Sequence, residues 1–191
     1  MKKYLFWGVA ALVVIYGFMT VRSLQTQANT VENSWAQVEN QFQRRYDLIP
    51  NLVETVKGYA AHEKGVLTEV TEARAKVGEI KVNAKDLSPE MLSRYMQAQG
   101  ELTQALSRLL MVRESYPQLK ASESFLKLQD ELAGTENRIT VERKRFNDTV
   151  KVMNNIVTVF PSSMVASLFG FEKLPYFQID EGASSAPKVS F

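Results

Sequence analysis

His62 and Glu63 come closest to a known catalytic motif in this sequence. A zinc-protease helix carries a second histidine four positions after the first, and that position is occupied by Val66. A di-iron helical bundle needs two Glu-x-x-His pairs, and this chain has one histidine. The absence of cysteine excludes thiol catalysis, thiolate metal sites and disulfides. We therefore predict no catalytic residue, no metal and no cofactor, and we interpret His62 as a polar contact beside a helix–helix seam.

Several polar side chains fall at positions where the apolar pattern expects core residues. A charge buried without a partner costs several kcal/mol, so such residues must either form ion pairs or face water. One interpretation is a set of interhelical ion pairs that fix helix register, and the other is a polar groove for a ligand or peptide. We favour the first, with Glu142 paired to Arg45 or Arg113. The predicted buried polar network comprises Arg45, Glu63, Arg113 and Glu142, and Gln99 and Thr135 also fall at core positions.

Polar residues also cluster around Pro50. A proline inside a helix removes one backbone donor and clashes with the carbonyl four residues earlier, here that of Tyr46, which then needs another donor. We predict a kink or a break at Pro50. The same region gives a candidate interaction surface made of Trp35, Phe42, Arg44, Arg45, Asp47 and Pro50.

The elements that must position these residues are helices. Apolar residues recur every three or four positions between residues 31 and 80, and two further helices are predicted at about 89–115 and 122–160. Ser88 with Pro89, and Ser122, suit helix starts. The period of 3.5 is typical of coiled-coil packing. The predicted fold is all-α, with an antiparallel helical bundle of three or four helices over residues 23–177.

The predicted helix lengths leave one stretch without a partner. The short connections make neighbouring helices antiparallel, so the second helix covers only the later part of the first. Either the chain folds back at Pro50 to give four helices, or the stretch containing Trp35 and Phe42 packs on another copy. We predict that this stretch contributes to a homo-oligomer.

The beginning of the chain indicates a membrane anchor. Residues 4–21 carry no charge, Lys2 and Lys3 precede them, and Arg22 follows. This run would span roughly 27 Å, about the thickness of the hydrocarbon core of a bilayer. The alternative is a cleaved signal peptide, but the run is long for one and residues 26–28 are a poor cleavage site. We predict a single-pass signal-anchor at residues 4–22 that contacts the lipid bilayer.

The charges around this run predict its orientation. Two lysines lie before it, and only Arg22 follows until Arg44. The positive-inside rule then places residues 1–3 in the cytoplasm and the body outside the plasma membrane.

Elsewhere acidic and basic residues balance, because Lys2 and Lys3 account for the net charge of +2. A balanced body is not typical of a general nucleic-acid binder.

The end of the chain is apolar, aromatic and then low in complexity. Ser162 or Ser163 could cap a two-turn helix that Gly170 ends in a left-handed conformation. Packing of the aromatic residues that follow onto the bundle is the favoured interpretation, and insertion at a membrane interface is the alternative. Residues 178–191 are predicted to be a disordered tail.

Ten short segments resemble the LemA family. They occur in order as NSW at 33–35, RRYDLIPNLVETVKGYA at 44–60, HE at 62–63, ARA at 73–75, YPQLKA at 116–121, FLKLQDEL at 125–132, GTENRI at 134–139, FPS at 160–162, LFGF at 168–171 and YF at 176–177. The resemblance extends over residues 1–177, and the tail matches nothing. It implies a bacterial single-pass membrane protein with a helical bundle outside the span and no established enzymatic activity.

These features together favour a protein that makes contacts. We predict a membrane-anchored helical scaffold or interaction module of the bacterial cell envelope, with itself and envelope proteins as partners and without nucleic acid. The alternative is an envelope-stress or membrane-shaping accessory that acts as a large oligomer. A carboxylate-based enzyme is the less favoured third possibility.

Overall fold

A computed structural model of the chain describes residues 2–82 and 87–177. Six α-helices and one 3-10 turn, with no strand, make up this described part. The helices are α1 (Lys2–Tyr59), α2 (Lys64–Glu79), α3 (Pro89–Met111), α4 (Pro117–Lys120), α5 (Glu123–Thr158) and α6 (Ser162–Leu168), and the 3-10 turn is Val112–Ser115. The all-α prediction is confirmed. The predicted tail at 178–191 lies outside the described residues.

The body is a four-helix bundle built from two antiparallel pairs. α1 pairs with α5, as the 2.8 Å hydrogen bond between the Ser34 and Thr149 hydroxyls shows near one end. α2 pairs with α3 and is joined to it by exposed ion pairs such as Lys76–Glu101, at 3.0 Å. Short connections between successive helices produce this up-down arrangement.

The chain does not reverse at Pro50. α1 continues through that residue to Tyr59, and the reversal occurs in the turn at residues 60–63. The break and the fold-back, which the sequence left open as alternatives to a kink at Pro50, therefore do not occur, although the four-helix arrangement that a fold-back would give is present. Burial of Ile49 and Leu52, which flank Pro50 and are both 0% exposed, outweighs the loss of one backbone hydrogen bond.

The early bundle stretch of α1 has partners within the chain. The side chains of Trp35 and Phe42 are only 3% and 5% exposed. They pack among residues of α3 and α5, including Tyr95 and Phe146. The expectation that this stretch lacks an intrachain partner is wrong, because the turn at 60–63 lets α3 return alongside α1.

The helix ends follow most of the local signals. The Ser88 hydroxyl accepts a hydrogen bond from the Met91 amide at 3.1 Å, and Ser122 caps α5 in the same way through Phe125. Gly170 adopts a φ of 73° after α6, as predicted. Ser162 does not cap α6, because its hydroxyl donates instead to the Ile156 and Val159 carbonyls at the end of α5.

Two apolar cores fill the bundle, one on either side of a polar layer. The proximal core lies toward the start of α1 and includes Leu24, Val31, Trp35, Val38, Phe42, Leu92, Tyr95, Ile139, Phe146, Val150, Met153 and Phe177. The distal core includes Ile49, Leu52, Val56, Val70, Leu102, Leu106, Leu109, Phe125 and Leu132. Arg45, Gln99 and Thr135 are buried between them, one each from α1, α3 and α5.

The first five turns of α1 extend beyond the bundle. Their large apolar side chains are exposed, and Thr20 and Leu24 are the first side chains of α1 to be buried. This stretch is long and apolar enough to cross a membrane. It continues without interruption into the helix that lines both cores.

Candidate functional site

The polar layer is built around the guanidinium of Arg45. Arg45 Nη1 donates to Glu136 Oε2 at 2.8 Å and to Thr103 Oγ1 at 3.1 Å, and Nη2 donates to the side-chain carbonyl of Gln99. Arg45 is 3% exposed, whereas the Glu136 side chain is 49% exposed. A buried charge is therefore neutralised by a carboxylate that still reaches water, which lowers the cost of burying the pair.

Tyr95 lies next to this layer, and Gln99 and Arg45 of the layer affect the pKa of its hydroxyl group. Burial raises the pKa of the Tyr95 hydroxyl to about 12, although its hydrogen bond with Gln99 and the Arg45 charge oppose that rise. The Arg45 guanidinium also lies 5.2 Å from the centre of the Phe42 ring. The layer is thus a buried cation held by the Glu136 carboxylate, by neutral polar groups and by the Phe42 ring.

The four residues predicted as one network do not meet. Glu63 accepts a hydrogen bond from the Tyr116 hydroxyl at 3.0 Å near the far end of the bundle, and this bond raises the pKa of Tyr116. Arg113 donates to Gln129, and Glu142 pairs with Arg145 one turn later on α5. The predicted pairing of Glu142 with Arg45 or Arg113 is wrong. The carboxylate that faces Arg45 is instead that of Glu136 on α5.

The Tyr46 carbonyl, which loses its helical hydrogen bond because of Pro50, accepts a hydrogen bond from another donor, as the sequence predicted. Arg74 on α2 donates from Nε to the Tyr46 carbonyl at 3.2 Å, and its guanidinium lies 3.8 Å from the centre of the Tyr46 ring. Gly78 lets this ring approach α2, since a Cβ there would lie 3.0 Å from the Tyr46 hydroxyl oxygen. The sequence pointed to the need for a donor but did not identify Arg74 or Gly78.

The candidate interaction surface divides into buried and exposed members. Three members are buried and cannot contact a partner directly, namely Trp35, Phe42 and Arg45. Arg44, Asp47 and Pro50 are exposed on the outer face of α1. A shallow cleft of about 540 Å³ runs beside Arg44, and it is lined on α5 by Glu123, Leu126, Lys127, Asp130, Glu131, Gly134 and Arg138.

A second cleft lies between α1, α2 and α3. Its volume is about 410 Å³, and its walls include Trp35, Phe42, Tyr46, Lys81 and Tyr95. The Trp35 indole nitrogen has no hydrogen-bond partner within the described residues. The cleft adjoins the polar layer through Gln99.

Two asparagines of α5 hold the chain after α6 against the bundle. Asn154 donates to the Leu174 carbonyl at 2.9 Å and accepts from its amide at 2.8 Å. Asn147 makes the same pair of bonds with Phe177, both at 2.9 Å. Seven residues of helix rise about as far as three residues of extended chain, so the two clamps match in spacing. We define residues 171–177 as the clamped segment.

The hydrogen bonds of these two asparagines, which we call the clamps, were not predicted from the sequence, although the sequence contains a signal for them. Asn147 and Asn154 are one heptad apart, and each directly follows a core residue, Phe146 or Met153. Asparagines repeated at that spacing beside a seam indicate partners for both amide groups. Phe177 itself stacks on Trp35 with the ring centres 5.7 Å apart.

His62 does not lie beside the seam. It is exposed in the turn between α1 and α2. Within residues 2–82 and 87–177, no three His, Asp or Glu side chains are grouped so that they could hold a metal ion.

The residues that form the bundle and the clamped segment also identify the family of this chain. A model of the LemA family matches residues 34–191. The chain belongs to the LemA family. The match includes the tail after residue 177, so the expectation that the tail matches nothing is wrong.

Curated relatives of this LemA-family chain are similar at modest identity. Magnetosome protein MamQ 2 of Paramagnetospirillum magneticum is 26% identical over 199 residues, covering 95% of this chain and 71% of that protein. Magnetosome protein MamQ of Magnetospirillum gryphiswaldense is 25% identical over 169 residues, covering 80% and 62%. Protein LemA of Metamycoplasma hominis is 24% identical over 158 residues, covering 83% and 68%.

Proposed function

We propose that this LemA-family protein is a membrane-anchored helical scaffold of the bacterial cell envelope that binds partners without catalysing a reaction. The observation that carries the proposal is the continuity of α1. One helix of 58 residues begins as an exposed apolar stretch and ends as a wall of both cores. A body joined in this way to a membrane span is held at a fixed distance and angle from the bilayer.

The titratable groups with shifted pKa values support a binding function over a catalytic one. The pKa of Tyr95 is raised by burial in a packed core, and the pKa values of Glu101 and Glu114 are lowered by exposed lysine partners. Surface ion pairs and core burial account for these shifts, and the raised pKa of Tyr116 follows from its hydrogen bond to Glu63, so none of them requires an active site.

The cleft beside Arg44 is the surface we propose for partners. Leu126, 42% exposed, lies among three cationic and three acidic side chains of the cleft. An apolar centre within a charged rim is typical of protein interfaces. A rim that carries both charges also suits a second copy, in which Arg44 of one molecule faces an acidic residue of the other.

Crosslinking in membranes tests this proposal. Two differently tagged copies of the full chain would be expressed together and crosslinked, and the products would be purified through one tag. We expect the second tag or a reproducible envelope protein to be captured. Substitution of Arg44→Glu should reduce the captured product severalfold, because it reverses a charge on the rim of the cleft.

Arg94→Glu is the matched control, because Arg94 is an exposed arginine on α3. Equal capture by the two variants would reject the cleft as the interface. If the unaltered protein captures neither the second tag nor a reproducible envelope protein, the scaffold proposal is rejected. Sizing of the detergent-extracted protein then distinguishes a small assembly from a large membrane-shaping oligomer.

Two expectations about location remain proposals. We infer a plasma-membrane position with residues 1–3 in the cytoplasm and the bundle outside, as the charges around the span favour. Protease added to intact spheroplasts should digest the bundle if this orientation is correct, and should leave it intact if the orientation is reversed.

A further inference from the structure

The corner where α5 meets α6 exposes a concentration of apolar side chains. Val159, Phe160, Met164, Leu168 and Phe169 are each more than half exposed, and Leu168 reaches 81%. The chain carries no charged residue between Lys151 and Glu172. We call these five side chains the apolar corner. Exposed apolar groups at this density mark an interaction surface.

The register of α1 against α5 gives the height of this corner. Ser34 contacts Thr149, and Trp35 contacts Phe146, so each later residue of α5 lies beside an earlier residue of α1. By this register Thr158, the last residue of α5, lies beside α1 at about residue 25. The apolar corner follows Thr158 and therefore lies at the end of the bundle nearest the apolar stretch of α1.

The burial of α1 agrees with that placement. α6 packs against α1 and α5, and its Ala166 is fully buried in the proximal core together with Leu24. Thr20 and Leu24 are the first buried residues of α1, and the uncharged run of α1 ends at Val21. The corner thus lies within about two helical turns of the boundary between the apolar stretch and the bundle.

We propose that the apolar corner is a second membrane contact, inserted in the interfacial region of the same bilayer leaflet that α1 leaves. This inference rests on the proposed anchoring of α1. An α1 that spans the bilayer brings the corner to the headgroup level, where aromatic and aliphatic side chains are favourably accommodated. A lipid surface is favoured over a protein partner by this continuity with the span and by the absence of charge that could select a protein.

The clamped segment keeps the corner in place. Asn154 holds Leu174 and Asn147 holds Phe177, so the chain that leaves α6 runs back along α5 away from the corner. Phe171 and Leu174 pack against the proximal core. The exposed side chains of the corner are therefore not covered by the described chain that follows them.

Site-specific fluorescence tests the proposal, and the absence of cysteine in the chain makes single labels possible. Full-length Met164→Cys and Leu168→Cys variants would carry an environment-sensitive dye and be reconstituted in vesicles of phosphatidylcholine and phosphatidylglycerol. We expect lipids bearing a nitroxide near the headgroup to quench both labels severalfold more than a label at Gln104→Cys, an exposed position on α3 far from the span. Both corner positions are more than half exposed, so the substitutions should not disturb folding.

A label at Val13→Cys separates the possible failures. Val13 lies at the middle of the apolar stretch of α1, so quenching there by lipids bearing the nitroxide near the end of the acyl chain reports insertion of the anchor. Quenched Val13 with unquenched corner labels would overturn this inference and leave the anchor intact. Unquenched Val13 would reject the anchor and this inference with it. Corner labels that are shielded from aqueous iodide and are also not quenched by the lipid nitroxide, or that crosslink two copies, would assign the corner to a second copy and also overturn it.

Discussion

The two cores of the bundle differ in composition because they are bounded by different elements. The distal core is mainly aliphatic and is enclosed by four helices. The proximal core is rich in aromatic rings, and α2 does not reach it, since Gly78 near the end of α2 already lies beside Tyr46. Residues 80–82 and the clamped segment take part instead. The aromatic rings of the proximal core come from α1, α3, α5 and the clamped segment.

The largest expected effect is the removal of Trp35 from the proximal core. Trp35→Ala should destabilise the protein by about 3–5 kcal/mol, because it leaves a cavity against Tyr95, Phe146 and Phe177. It should also release the clamped segment, since Phe177 loses its stacking partner. Urea unfolding of the full chain in detergent, with hydrogen exchange at the Leu174 and Phe177 amides, measures both.

Leu102→Ala is the comparison in the distal core, where Leu102 is 1% exposed. We expect a loss of about 2–4 kcal/mol without faster exchange in the clamped segment. Equal acceleration of exchange in both variants would contradict the separation of the cores by the Arg45 layer.

The polar layer between the cores should respond unequally to loss of its two charges. Glu136→Ala leaves Arg45 buried and always charged, and should cost about 2–3 kcal/mol. Arg45→Met should change stability by no more than about 1 kcal/mol, because Glu136 is half exposed and Gln99 keeps its bond with Tyr95. Chemical unfolding of the two variants tests this order, and a reversed order would show that the arginine stabilises the layer beyond its own burial cost.

Loss of one clamp should affect only the proximal side. Asn154→Ala leaves the Leu174 amide and carbonyl without their partner, and should cost about 1–2 kcal/mol. Exchange at the Leu174 amide should accelerate. Asn155→Ala is the matched control, because Asn155 is the exposed neighbour on the same helix. Similar exchange in both variants would mean that apolar packing alone holds the segment.

The smallest expected effect is a pH dependence at the boundary of the cores. The folded-state pKa of Tyr95 is about 12, above the ordinary tyrosine pKa of 10.0 that it has in the unfolded chain. Its contribution to stability is therefore complete below pH 10 and is lost as pH rises toward 12. Unfolding midpoints measured across that range should fall more steeply for the unaltered protein than for Tyr95→Phe. Parallel curves would indicate that Tyr95 ionises as readily as an exposed tyrosine.

The heptad pattern was sufficient to predict the helices but not the point of reversal. Residues 60–63 carry neither Pro nor Gly, so nothing local marks the turn, while Pro50 is a strong local signal that tertiary packing overrides. Caps at Ser88 and Ser122 were predictable because they depend on neighbours within four residues.

Contacts across the bundle were harder to predict. Arg45 was recognised as a core-position charge, yet its partner Glu136 depends on the α1–α5 register, which the misplaced reversal obscured. The donor for the Tyr46 carbonyl was required by local chemistry, but Arg74 could be identified only once α2 was placed alongside α1.

If α1 spans the bilayer as proposed, its uninterrupted course joins the tilt of the span directly to the position of the bundle. From Arg22 to Tyr59 the helix extends about 55 Å. If the helix tilts as one rod, a 10° change in the tilt of the span would swing the far end of the bundle by about 10 Å. Changes in bilayer thickness or lateral pressure would therefore be converted into displacement of the turn at residues 60–63, and an inserted apolar corner would act as the second support that restrains this swing.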